Sequence, residues 1–238
     1  LEVIAALPTE AMRAMSASQL KAFSATQLSA FTDEQIAALG NKASTFFAGP
    51  MVLDLNRDGV LSISVDQGVQ FDHAGSGKPV RTGWSTPDDA LLVMDRNGNG
   101  SIDSGAELFG HSTRMPKGTT ASDAYAALRV LDTDRNARID VHDHDFAQLM
   151  LWTDRNANGV TDAGELMSLP QAGIASLSLA ARAASHAEAG NRVALMSSYL
   201  TADHAQGLMA DVLFRVKPSE AAALVGTVSV ADEIVSLS

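Results

Sequence analysis

Asp154, Asn156, Asn158, Asp162 and Glu165 stand at positions 1, 3, 5, 9 and 12 of the stretch DRNANGVTDAGE, with Gly159 at position 6. All five side chains end in hard oxygen, and the backbone carbonyl of Val160 falls at position 7. This is the ligand spacing of an EF-hand calcium loop, whose sixth residue turns through a conformation that a side chain disfavours. Oxygen donors without sulfur or imidazole suit calcium rather than zinc. Asp, Asn and Gly also gather in ordinary turns, but a turn has no need of Glu at the twelfth place.

Three further stretches carry the pattern less completely. Asp95, Asn97, Asn99, the Ser101 carbonyl and Asp103 follow the apolar run Leu91 to Met94, and the closing acid, Glu107, arrives one place late. Asp132, Asp134, Asn136, the Arg138 carbonyl, Asp140 and Asp143 keep every position, but Ala137 replaces the glycine and Asp143 the longer Glu. Asp54, Asn56, Asp58 and the Val60 carbonyl supply the first half of another loop. Val65 stands where its Glu belongs, so a ligand from elsewhere must complete the shell, with Asp72 as the candidate. The stretch FDHAGSG has Ala74 and Ser76 at ligand places and reads as an empty relic. The loops together predict calcium as the cofactor, about three to four ions.

The segments around these loops must hold them in place. Ala124 to Leu131 predicts an entering helix, and Phe146, Leu149, Met150 and Trp152 an apolar helical stripe. The last two loops would then form one paired helix-loop-helix-loop unit. Alternation at Val52, Leu53 and Leu55, and at Val60, Leu61, Ile63 and Val65, predicts two short strands. Ile174, Leu177 and Leu179 suggest another, with two more at 193–199 and 208–216.

Residues 6–39 repeat with a period of eight. Ser16 and Gln19, Ser24 and Gln27, and Thr32 and Gln35 are spaced as capping boxes, which satisfy orphan amides at a helix start. One continuous helix would rotate its apolar positions by about 80° per repeat, so short capped helices packed on neighbours are expected. They would serve as a cap or spacer, or as a surface for a protein partner.

The expected fold class is α+β. It comprises a helical repeat segment (1–41), a module of β-hairpins and EF-hand-like helix-loop-helix calcium loops (50–180), and a small β-rich extension (181–238). His111, His142, His144, His186 and His204 show no zinc spacing and are expected at the surface.

Composition narrows the function. The formal charge of −11 argues against nucleic acid, which needs clustered Lys and Arg. No stretch approaches the apolar length of a membrane span. Without cysteine, neither disulfides nor thiolate metal sites are available, which fits a chain exported before it folds. Beginning at Leu1 without a signal peptide pattern, it reads as part of something longer.

The series GPMVLDLNRDGV, FDHAGSG, RTGW, DDALLVMDRNGNGSIDSGAELFG, LDTDRNARIDVHDHDF, LWTDRNANGVTDAGEL and AGIASLSL resembles the self-processing module of RTX proteins, bacterial exoproteins of type I secretion. The likeness covers residues 49–180, with a weaker echo through GNRVALMSSYL and ADVLFRV. It implies a secreted module that folds on binding calcium outside the cell. It also implies calcium-dependent cleavage of an Asp-Pro bond before the first strand, the freed Asp reacting with a Lys. The sequence departs there, with Gly49 before Pro50. Glycine has no carboxylate to attack its own peptide carbonyl, so the reading favours a non-enzymatic calcium module. An inactive self-processing module and an adhesion segment using residues 6–39 are the alternatives.

Overall fold

The computed structural model describes residues 2–16, 19–20, 22–23, 27, 30–39, 42, 47–116 and 118–217. The helices described in full at the start of the chain are α1 (Glu2–Ala5), α2 (Thr9–Ala14) and α3 (Asp33–Leu39). Strands β1 (Phe47–Ala48), β2 (Met51–Asp54), β3 (Ser62–Ile63), β4 (Val69–Phe71), β5 (Val80–Thr82), β6 (Trp84–Ser85) and β7 (Asp89–Val93) follow. Helix α4 (Ala124–Arg129) precedes β8 (Arg138–Asp140), β9 (Met150–Trp152), β10 (Leu166–Ser168) and β11 (Ile174–Ser178). Strands β12 (Arg182–Glu188), β13 (Asn191–Thr201) and β14 (Gln206–Arg215) complete the described part.

Ten of these strands make one antiparallel sheet, curled into a half-barrel. Its order is β10-β9-β7-β2-β14-β13-β11-β8, with β1 beside β14 and β12 beside β13. Strand β7 shows how the core is built. Ala90 and Leu92 join one apolar cluster with Met51, Leu53, Leu151 and Tyr125. Leu91 and Val93 join another on the opposite face, with Val52, Trp84 and Trp152. Helix α4 covers the first face, and the pairs β3–β6 and β4–β5 cover the second.

This overturns the expected α+β class. The described structure is mostly β, and none of the loops starting at Asp54, Asp95, Asp132 and Asp154 lies between two α-helices. Burial on both faces removes the polar half of the alternation, so an inner strand reads as a plain apolar run, indistinguishable by periodicity from a buried helix. The stripe from Phe146 to Trp152 is core, but it folds as a 3₁₀ turn (Phe146–Gln148) followed by β9. Nor do β13 and β14 form a small separate β region: β14 pairs with β2 in the middle of the sheet.

In the repeat segment two of the three capping boxes lie among the described residues, and both are closed. Ser16 N donates to Gln19 Oε1 (2.8 Å) and Gln19 N to Ser16 Oγ (3.2 Å). Thr32 and Gln35 make the same exchange at 2.9 and 3.2 Å. The Ser24 box lies outside the described residues. Gln35 also caps α1, its Nε2 donating to the carbonyls of Ile4 and Leu7 at 2.8 Å each. Met12, Leu20, Phe31, Ile36 and Leu39 pack against Phe47 and Leu213 of the sheet. The described repeat residues therefore pack on β1 and β14 of their own sheet.

Candidate metal centre

Four loops share one backbone. Loop 1 starts at Asp54, loop 2 at Asp95, loop 3 at Asp132 and loop 4 at Asp154. In each, the fourth and sixth residues lie at positive φ: Arg57 and Gly59, Gly98 and Gly100, Arg135 and Ala137, Ala157 and Gly159. The first Asp of each loop accepts from the sixth residue's N–H: Gly59 at 3.0 Å, Gly100 at 2.8 Å, Ala137 at 3.1 Å and Gly159 at 2.8 Å. The third-position side chains Asn56, Asn97, Asp134 and Asn156 accept from the N–H two residues on. Asn99, Asn136 and Asn158 repeat that contact from the fifth position. The seventh residues Val60, Ser101, Arg138 and Val160 follow directly.

The closing acids fold back alike. Glu107 accepts from Asp103 N, Asp143 from Asp140 N and Glu165 from Asp162 N, each at 3.0 Å. Thr133 N and Arg155 N add second contacts to Asp143 and Glu165. Burial opposes ionisation of Asp143, yet the N–H groups of Asp140 and Thr133 hold its carboxyl below the usual range. Glu107 is pushed up by burial, and its Oε1 is buried with no hydrogen-bond partner. Carboxylate oxygens of Asp132, Asp134 and Asp143 lie within 4.8 Å of one another.

Loop 1 is completed by a residue the sequence did not point to. Asp89, at the start of β7, pairs across the sheet with Asp54. Oxygens of Asp54, Asp58 and Asp89 lie within 4.8 Å of one another. Asp89 is fully buried; one oxygen accepts from Leu61 N at 2.8 Å, and Oδ1 has no partner. Burial pushes its carboxyl up to about 7, and repulsion from Asp54 and Asp58 acts the same way. Asp72, the candidate from the sequence, instead holds its own stretch. It accepts from Gly77 N and Ser76 Oγ, and Gly75 and Gly77 are at positive φ. FDHAGSG thus keeps the loop backbone without the ligands. The signal for Asp89 was weak, an acid beginning an apolar run 35 positions from Asp54.

Gly49 and Pro50 sit between β1 and β2, both paired to β14. Val212 N donates to Pro50 O at 3.1 Å. A Cβ at Gly49 would fall 2.3 Å from His111 Nδ1 and 2.9 Å from Leu213 Cδ2. His111 is half-buried rather than exposed: its Nδ1 is buried, and burial holds its imidazole below the usual range. His142, His144, His186 and His204 are exposed as expected. Among the described residues no helix is long and apolar enough to cross a membrane.

Residues 51–215 match the family described as SPM domain, and residues 4–41 match the ALTTAQ repeat. Iron-regulated protein FrpA of Neisseria meningitidis serogroup C is 41% identical over 167 residues, or 69% of this chain. The chain spans only 15% of that relative's length. The matched region runs from β2 to β14 and contains all four loops, and the chain belongs to the SPM domain family.

Proposed function

We propose that this chain is a calcium-binding module of a secreted RTX-like bacterial protein, ordered by calcium outside the cell. The observation that carries the reading is Asp89. A carboxylate oxygen fully buried without a partner, beside Asp54 and Asp58, lacks the positive charge that would offset its desolvation. Calcium, which takes six to eight oxygens in flexible geometry, fits that donor set. Loops 2, 3 and 4 repeat the same backbone with their acids folded back on local N–H groups. Asn156 and Asn158 donate their amide N–H groups to Asp162 at 2.8 and 2.9 Å. Ion binding there requires both amides to present oxygen instead.

Thermal melts in chelator and in millimolar calcium test the proposal. Binding to the folded chain alone stabilises it by about 3 kcal/mol per site at a hundredfold excess over Kd. Asp89→Asn should remove one ion from the calorimetric stoichiometry. An unchanged melting midpoint in calcium would sink the reading. Self-processing is not favoured for this chain, because Gly49 offers no carboxylate.

A further inference from the structure

Loop 4 does not pair with loop 3. Their strands β10 and β8 end the strand order on opposite sides, and among the described residues no hydrogen bond joins the two loops. Loop 4 instead touches loop 2 through one side chain. Thr161 Oγ1 accepts from Ile102 N at 2.9 Å and donates to Ile102 O at 3.2 Å. Thr161 is the eighth residue of its loop and Ile102 the eighth of its own. A single hydroxyl thus satisfies both backbone groups of a residue that is only 1% exposed. Losing it would leave buried N–H and C=O groups unmatched.

The next residue in each loop holds the closing acid. Asp162 N donates to Glu165 and Asp103 N donates to Glu107. A continuous run of contacts therefore links the two acids: Glu165, Asp162, Thr161, Ile102, Asp103, Glu107. A second link passes through β4 and the residue after it. A Cβ at Gly159 would lie 2.9 Å from Gln70 O, and Gly105 N donates to Asp72 O at 2.8 Å. Drawing either closing acid onto an ion pulls it off the N–H that fixes the shared contact, which biases the other loop. We propose that loops 2 and 4 act as one two-ion unit, binding calcium cooperatively through the Thr161–Ile102 contact. This rests on the calcium reading above.

Both tryptophans report on loop 4, since Trp84 Nε1 donates to Asp154 and Trp152 Nε1 to Glu165. Intrinsic fluorescence of the whole chain, titrated with calcium, thus reads that loop's occupancy. Glu107→Gln, which weakens loop 2, should raise the fluorescence midpoint about fivefold. In a Thr161→Val background the same change should add nothing, and Thr161→Ser, which keeps the hydroxyl, should restore the effect. If Glu107→Gln removes one ion by calorimetry while the fluorescence midpoint stays put, the coupling is refuted. A fivefold effect that survives in Thr161→Val refutes the assigned contact. Should Thr161→Val fail to fold, Thr161→Ser with and without Glu107→Gln still decides whether coupling exists. A wild-type chain that takes up no calcium by calorimetry would remove the calcium reading itself, a distinguishable failure.

Discussion

Trp84 Nε1 donates a hydrogen bond of 2.8 Å to Asp154 Oδ2, so the first residue of loop 4 is held by an indole 70 residues away. Trp84 is fully buried and meets Trp152 edge-on at 5.4 Å between ring centroids, beside Phe71, His73 and Phe214. Burial raises the Asp154 carboxyl, and Glu165 adds repulsion, while Gly159, Asn158 and Trp84 oppose the rise. Trp84→Phe removes a donor to a buried acid and should cost about 2 kcal/mol in urea melts. It should also weaken calcium at loop 4. An unaltered urea midpoint would show that the indole bond contributes nothing.

Ala137 is at φ 63°, where loops 1, 2 and 4 have glycine. A left-handed conformation costs an L-residue about 1 kcal/mol. Ala137→Gly should stabilise the chain by somewhat less, because glycine also gains freedom when unfolded. Calcium affinity of loop 3 should rise with it. Denaturant melts and calorimetry check both, and a less stable variant counts against strain at this position.

His73 is buried, and burial holds its imidazole down to about 3, the nearby Asp72 only partly opposing this. Thr82 Oγ1 donates to Gly83 O, so it accepts from His73 Nε2 at 3.1 Å, and the proton sits on Nε2. The folded pKa lies below the unfolded value of about 6.5. The unfolded chain therefore binds a proton that the native chain does not. Stability present above about pH 6.5 is lost as pH falls toward 3, by up to about 1.4 kcal/mol per pH unit. His73→Gln should flatten that slope in chelator. Parallel slopes for wild type and variant would locate the acid sensitivity elsewhere.

Gly49→Asp drives a side chain into the His111 ring and Leu213. Overpacking of this kind costs about 1–3 kcal/mol, and His111→Ala in the same chain should recover part of it. The wild-type chain should show a single intact mass after calcium addition. Cleavage between residues 49 and 50 in the wild type would mean that a group other than the missing carboxylate attacks that bond.

The loop backbones were legible in the sequence because they are local. Each Asp reaches only five residues ahead to the N–H that closes its turn, as Asp154 does to Gly159. Capping boxes are local in the same sense, and Thr32 and Gln35 close as their spacing requires. What lies between the loops was not legible. Whether Leu91 to Met94 becomes strand or helix depends on Val52, Leu53, Leu151 and Trp152 arriving on either side. Asp89 joins loop 1 only because β2 and β7 align in that register. Loop 4 finds loop 2 rather than loop 3 because sheet order, not chain order, decides which loops become neighbours. The Nδ1 of His111 is buried because Leu213 of β14 and the turn at Gly49 lie against its ring. Ligand spacing within a loop is thus set by bonded neighbours, whereas partners and burial come from surfaces that meet only when the sheet has formed.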